Sequence, residues 1–126
     1  MLNAKRGEVW LARPSPVVGH EQGGTRPVLV ASSDVFNAGR SGLVVVVPIT
    51  GRLKYSVPMH LEVDPPEGGL KRKSVVLCDS VRSVSRERLH GRLGAVSERT
   101  LADVTERLAA LLDLWSCVAD EESSEG

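Results

Sequence analysis

Aromatic side chains are scarce in this 126-residue chain: Trp10, Phe36, Tyr55 and Trp115 make up 3% of it. That scarcity argues against a platform stacking many bases, as sequence-tolerant single-strand binders use. Cysteine is as rare. Cys78 and Cys117 are too few for a disulfide framework or a Cys-rich zinc site. His20, His60 and His90 lie 40 and 30 residues apart, so no local metal-ligand spacing exists and neither metal nor other cofactor is expected. Long apolar runs are missing too. The longest, Leu43 to Ile49, has seven residues, where a membrane-spanning helix needs roughly 20. The N-terminus shows no secretory pattern, since Lys5-Arg6 is followed by Gly7-Glu8 instead of an apolar stretch. A cytoplasmic protein without membrane association is the expectation.

What is present suits one folded domain. Hydrophobic residues account for 41% and charged residues for 25%, a globular balance in a chain long enough to bury a core without staples. The net charge of zero hides an asymmetry. Residues 1–94 carry 14 Lys and Arg against 8 Asp and Glu, whereas residues 95–126 carry 2 against 8. Twelve of the sixteen cations are Arg, whose fixed donor fork suits phosphate. The basic body therefore favours a polyanionic partner.

Nineteen valines fall mostly in short runs bounded by turn residues, a strand signature. Strands are expected at 8–12, 27–31, 43–49, 59–63 and 74–78, with further short ones around Val81, Val84 and 92–96. The 43–49 strand is apolar throughout and belongs at the centre, with Pro48 near its end. Ser33 or Asp34 caps a single helical turn. The period then changes: Leu101, Val104, Leu108, Leu111, Leu112 and Trp115 share one helical face, with Ser97 as N-cap and Glu98 favourable in the first turn. Thr100 stands where a capping box would place Glu or Gln. Several strands and one terminal helix indicate a small barrel or curled sheet with a helix packed on it. Residues 1–115 form the domain, and 116–126 an acidic tail expected to be disordered.

The informative segment is Gly19-His20-Glu21-Gln22-Gly23-Gly24-Thr25-Arg26-Pro27. It joins two strands through a loop far longer than a hairpin needs, and long irregular loops in compact domains are often functional. Arg26 opens a strand beside the rigid Pro27, so its cation is fixed at a scaffold edge, where it can stabilise charge developing on a phosphoryl group. Together with Arg6-Gly7-Glu8-Val9-Trp10, this segment resembles the start of the MazF/PemK toxins, the ribonuclease components of bacterial toxin–antitoxin pairs. Val46-Val47-Pro48-Ile49-Thr50, Ser74 to Arg82 and the helix ending Leu112-Asp113-Leu114-Trp115 extend the resemblance over about residues 5–115.

That resemblance implies an SH3-like antiparallel barrel of the CcdB/MazF type with a C-terminal helix, mainly β, assembled as a homodimer. It implies metal-independent cleavage of single-stranded RNA, chiefly messenger RNA, within short sequence motifs. The products would be a 2′,3′-cyclic phosphate and a 5′-hydroxyl, and translation would stop. The implied antitoxin, MazE- or PemI-like, covers the RNA groove with an acidic C-terminal tail. Arg26 and Thr50 match the family's catalytic Arg and Thr; His20 and Asp79 match residues proposed as catalytic in the PemK branch. Where that branch has an Arg two residues before the Asp, this chain has Leu77. A guanidinium stays protonated, so the role assigned to Arg26 is phosphate clamp and charge stabiliser. Thr50 offers one hydrogen bond to a non-bridging oxygen. His20 is a proton shuttle near neutral pH, and Asp79 a base or an orienting group. Glu21 and Gln22 shape the loop or read bases. Arg52, Lys54 and Tyr55 contact the RNA backbone and stack one base. Cys78 reads as a small buried hydrophobe. The rival reading is a non-catalytic, gyrase-binding CcdB-like toxin on the same fold.

Overall fold

The computed structural model describes residues 3–13, 24–51 and 57–114. Seven strands and two helices follow in the order β1 (Glu8–Ala12), β2 (Arg26–Val30), α1 (Asp34–Asn37), β3 (Leu43–Thr50), β4 (His60–Val63), β5 (Ser74–Leu77), β6 (Arg82–Ser85), β7 (Leu89–Ala95) and α2 (Glu98–Leu111). The sheet runs β4-β5-β3-β2-β1-β7, with β6 also on β3. Every pairing is antiparallel. β3 is the central strand. One of its edges takes β2; the other is shared by β6 along Leu43–Val46 and β5 at Ile49–Thr50. Splitting one edge between two partners curls the sheet.

A strand apolar in every position must be buried on both sides, and β3 is. Val44 and Val46 pack with Trp10, Ala12, Val28, Val30 and Val84 on one face. Val47 and Ile49 pack with Val9, Leu29, Val76 and Val104 on the other. The second face is the one α2 covers, through Val104 and the partly buried Leu108. The helical face is narrower than its apolar period suggests: Leu111 and Leu112 are 41% and 61% exposed. Trp115 lies outside the described residues.

Local signals in the sequence are used as their chemistry dictates. Ser33 Oγ accepts from Phe36 N and caps α1. Ser97 Oγ accepts from Thr100 N and caps α2. The carboxylate that Thr100 cannot provide comes from elsewhere: Glu67 Oε2 accepts from Ser97 N at 2.8 Å, completing the cap across thirty residues. Burial alone would push the Glu67 carboxyl up, but hydrogen bonds from Thr100 and Ser97 outweigh it and hold the group below its ordinary range.

The Arg6-Gly7-Glu8-Val9-Trp10 motif is an anchor. Arg6 donates to Ala31 O and Thr105 Oγ1. Gly7, at φ +93°, donates to Val30 O. Glu8 gathers Lys5 N, Trp10 Nε1 and Arg92 Nε at 2.8, 2.9 and 2.7 Å. Burial raises the Glu8 carboxyl, and these donors together with the Arg92 charge bring it below its ordinary value. The turn at 67–69 sits so close to β7 that a Cβ on Gly69 would lie 2.1 Å from Leu93 O. Only glycine fits there, and its position fixes the next residues, Leu70 to Arg72, over the sheet.

Candidate active site

Arg26 is the first residue of β2, and Thr50 the last of β3. The β2–β3 ladder pairs Val28 with Pro48. Continued by two residues, that register sets Arg26 across from Thr50, on the same side of the sheet, since side chains repeat with period two. On its other edge Arg26 pairs with Ala12 of β1. The strand expected from residue 27 thus begins at Arg26, and the backbone carrying this guanidinium is held in the sheet.

Arg26 and Thr50 border the same cleft, with a volume of about 590 Å³. Its floor is apolar, from Leu11, Ile49, Leu70 and Leu93. Its rim carries three cations, Arg26, Lys71 and Arg72, and three hydroxyls, Thr25, Thr50 and Ser74. No carboxylate lines it among the described residues. Such a rim attracts anions, and cations above low-dielectric walls concentrate the field on whatever enters. A guanidinium and a hydroxyl bordering one cleft are donor types that a pentavalent phosphorus with extra negative charge needs.

Lys71 and Arg72 belong to this rim but are not among the residues the sequence singles out. Their signal was the cationic run Lys71-Arg72-Lys73 after the Gly68-Gly69 turn. Its third member points elsewhere, pairing with Glu62 at 3.3 Å.

Asp79 is placed differently from Arg26 and Thr50. It sits in a short 3-10 turn at Cys78–Ser80 and lines neither of the two clefts that Arg26 borders. Asp79 Oδ1 lies 3.3 Å from Nε2 of His60, whose side chain is 9% exposed. Next to it, burial pushes the Cys78 thiol up to about 11; the nearby Arg107 charge acts downward and Asp79 upward. Fully buried and strongly protonated, Cys78 is a core residue, as expected, and no nucleophile. His20, Glu21, Gln22, Arg52, Lys54 and Tyr55 lie outside the described residues.

The chain is similar to several known proteins. The family described as "PemK-like, MazF-like toxin of type II toxin-antitoxin system" matches residues 5–112. The chain is 39% identical over 111 residues to the endoribonuclease EndoA of Bacillus subtilis strain 168, covering 87% of this chain and 95% of that protein. It is 37% identical over 111 residues to the endoribonuclease MazF of Staphylococcus saprophyticus, covering 87% and 92%. A crystal structure of MazE-MazF from Deinococcus radiodurans superposes with a TM-score of 0.76 at 34% identity, covering 90% of this chain and 98% of that one.

Proposed function

We infer the activity of this chain from the family to which it belongs, the PemK-like, MazF-like toxins of type II toxin–antitoxin systems. It is an endoribonuclease, as its relatives at 39% and 37% identity are named. The gyrase-binding alternative is not favoured, because a non-catalytic binder has no use for a guanidinium and a hydroxyl in register across two strands.

The substrate is single-stranded RNA, and the nucleophile is the RNA's own 2′-hydroxyl. Its oxygen attacks the adjacent phosphorus, the bond from phosphorus to the 5′-oxygen breaks, and a 2′,3′-cyclic phosphate and a 5′-hydroxyl result. One proton leaves the 2′-oxygen and one reaches the departing 5′-oxygen. Arg26 clamps the phosphate and stabilises the equatorial oxygens as charge builds on them. Thr50 donates to one of those oxygens. His20, from the loop that leads into Arg26, carries the proton. The Asp79–His60 pair favours an orienting or structural role for Asp79 over that of base. Glu21 and Gln22 read bases, while Arg52, Lys54 and Tyr55 hold the backbone and stack one base. Lys71 and Arg72 add charge along the rim. The active form is a homodimer in the cytoplasm, where cleaved messenger RNA stops translation. The antitoxin partner is a small protein whose acidic tail occupies the basic cleft, as the MazE-MazF pairing of the structural relative suggests.

The observation that carries this reading is that Arg26 and Thr50 line one cationic cleft, free of carboxylates among the described residues. Incubation with a defined RNA in EDTA, followed by mapping of new 5′ ends, tests it. Cuts at a short recurring motif are expected, and a single 2′-deoxy sugar at the cut abolishes them. Cleavage that survives the deoxy substitution, or that EDTA stops, overturns the mechanism.

A further inference from the structure

Arg26 is shared between the catalytic cleft and a second, smaller cavity of about 140 Å³. Arg26, Pro27 and Ile49 form the wall between the two. Four guanidiniums line the smaller cavity. Arg26 opens β2 and Arg13 directly follows β1; Arg82 opens β6 and Arg88 precedes β7. The remaining walls are apolar, from residues such as Ala12, Val28, Pro48 and Val84, and among the described residues no carboxylate and no aromatic ring lines it.

The fold itself brings these distant arginines together. Arg13 N donates to Arg88 O at 3.0 Å, and Arg82 is held in register with Val46 of β3. Arg13, Arg26 and Arg82 are exposed and Arg88 is half-buried. Four guanidiniums lining so small a space set up a positive field that favours an anion over a neutral or cationic occupant. The cavity is too small and lacks the rings for a stacked base, whereas a phosphodiester is compact and matches the guanidinium fork. Thr50 is absent from its lining, so the scissile phosphate belongs in the larger cleft.

We propose that Arg13, Arg82 and Arg88 form a second phosphate site, which holds the RNA backbone at the linkage next to the one that is cut. The assignment rests on the RNA reading above. These arginines are positioning residues: they fix the strand's register so that the reacting phosphate lies between Arg26 and Thr50.

The test uses a single-stranded 2′-fluoro RNA, which has no nucleophilic hydroxyl and so reports binding without cleavage. Arg82→Gln should weaken binding about tenfold, the scale of one charge-assisted contact. It should also make the dependence of log affinity on log salt shallower by about 0.7, one phosphate's worth for a single strand. Arg82→Lys restores the salt slope and only part of the affinity. Arg13→Gln, at an exposed strand end, reports on the same site without touching β6. On cleavable RNA the loss falls on KM more than on kcat. A methylphosphonate moved along the 2′-fluoro RNA should penalise the wild type at one position next to the cut and leave Arg82→Gln indifferent there.

Wild-type affinity and salt slope in both glutamine variants would overturn the site. So would a loss of affinity for a polyglutamate peptide with none for RNA, since the arginines would then serve a protein partner. The two readings fail separately. Cleavage by the wild type with indifferent glutamine variants removes the second site and leaves the nuclease. Binding that depends on Arg82 without any cleavage keeps this site and removes the nuclease.

Discussion

At the scale of single residues, Arg26 and Thr50 are asked for different amounts of catalysis. Arg26 meets charge that develops in the transition state, and removing one such preorganised donor typically costs 10²–10³ in rate. Arg26→Ala is therefore expected to lower the single-turnover cleavage rate by about 10²–10³. Arg26→Lys keeps the charge and loses the planar fork, so it should fall between wild type and Ala. Thr50 contributes one hydrogen bond to a charged oxygen, about 1.5 kcal/mol, so Thr50→Val should cost roughly tenfold. Pre-steady-state cleavage of a labelled RNA checks the order. A Thr50→Val variant as slow as Arg26→Ala would mean the hydroxyl takes part in proton transfer. Arg26 was legible from its place beside Pro27, and Thr50 from its match to the family pattern. Lys71, Arg72, Arg82 and Arg88 were not, because a cation on a turn or at a strand end looks like any solvated charge until the fold shows which cleft it borders.

At the scale of elements, β1, β3 and α2 could be read from the sequence because each follows one physical period. Alternation or continuous burial marks a strand, and a 3.6-residue repeat marks the helix. The last strand was harder. β7 contains Gly91 and Gly94 and no apolar run. At Gly94 the neighbour is backbone: a Cβ there would lie 2.8 Å from Gly68 C. The cap of α2 was half-legible. Ser97 was apparent, but the carboxylate that completes its cap comes from Glu67, and no local window contains both. The depressed Glu67 carboxyl makes this contact pH-dependent. A group with a lowered folded-state value stabilises the fold above its unfolded value, near the ordinary 4.5, and loses that contribution as pH falls through the folded value. Glu67→Ala should cost about 1 kcal/mol at pH 7, the size of a helix cap, or about 4 °C in Tm. Glu67→Gln keeps an acceptor and should lose less. Below pH 4.5 both variants should lose stability less steeply than the wild type. Thermal melts by circular dichroism from pH 3 to 7 check this. Parallel curves would show that the charge of Glu67 does not matter to the cap.

At the scale of the whole molecule, the zero net charge divides along the sequence into a basic body and an acidic end. The clefts around Arg26 draw their cations from β2, β6 and the segments beside β1, β5 and β7. The carboxylates at 120–122 and 125 lie beyond α2, outside the described residues. Residues 116–126 contain four carboxylates and no Lys or Arg, so deletion after Trp115 takes the net charge from zero to +4. RNA is a polyanion, and its approach to a basic cleft is steered by the field of the whole protein, which salt screens over about 10 Å at 0.1 M. The deletion should therefore speed RNA association several-fold at low salt, and the advantage should vanish by about 0.5 M. Stopped-flow association with 2′-fluoro RNA over a salt series separates two ways in which the tail could act. A field effect changes the association rate and fades with screening. A tail that folds into the cleft as a competitor would leave a difference in affinity at high salt, since seated contacts are screened less than distant ones. Five of the body's arginines line the two clefts, whereas the tail's carboxylates, three of the four consecutive, stand in a mostly polar segment. That contrast favours the field effect, and a rate advantage that persists at 0.5 M would refute it.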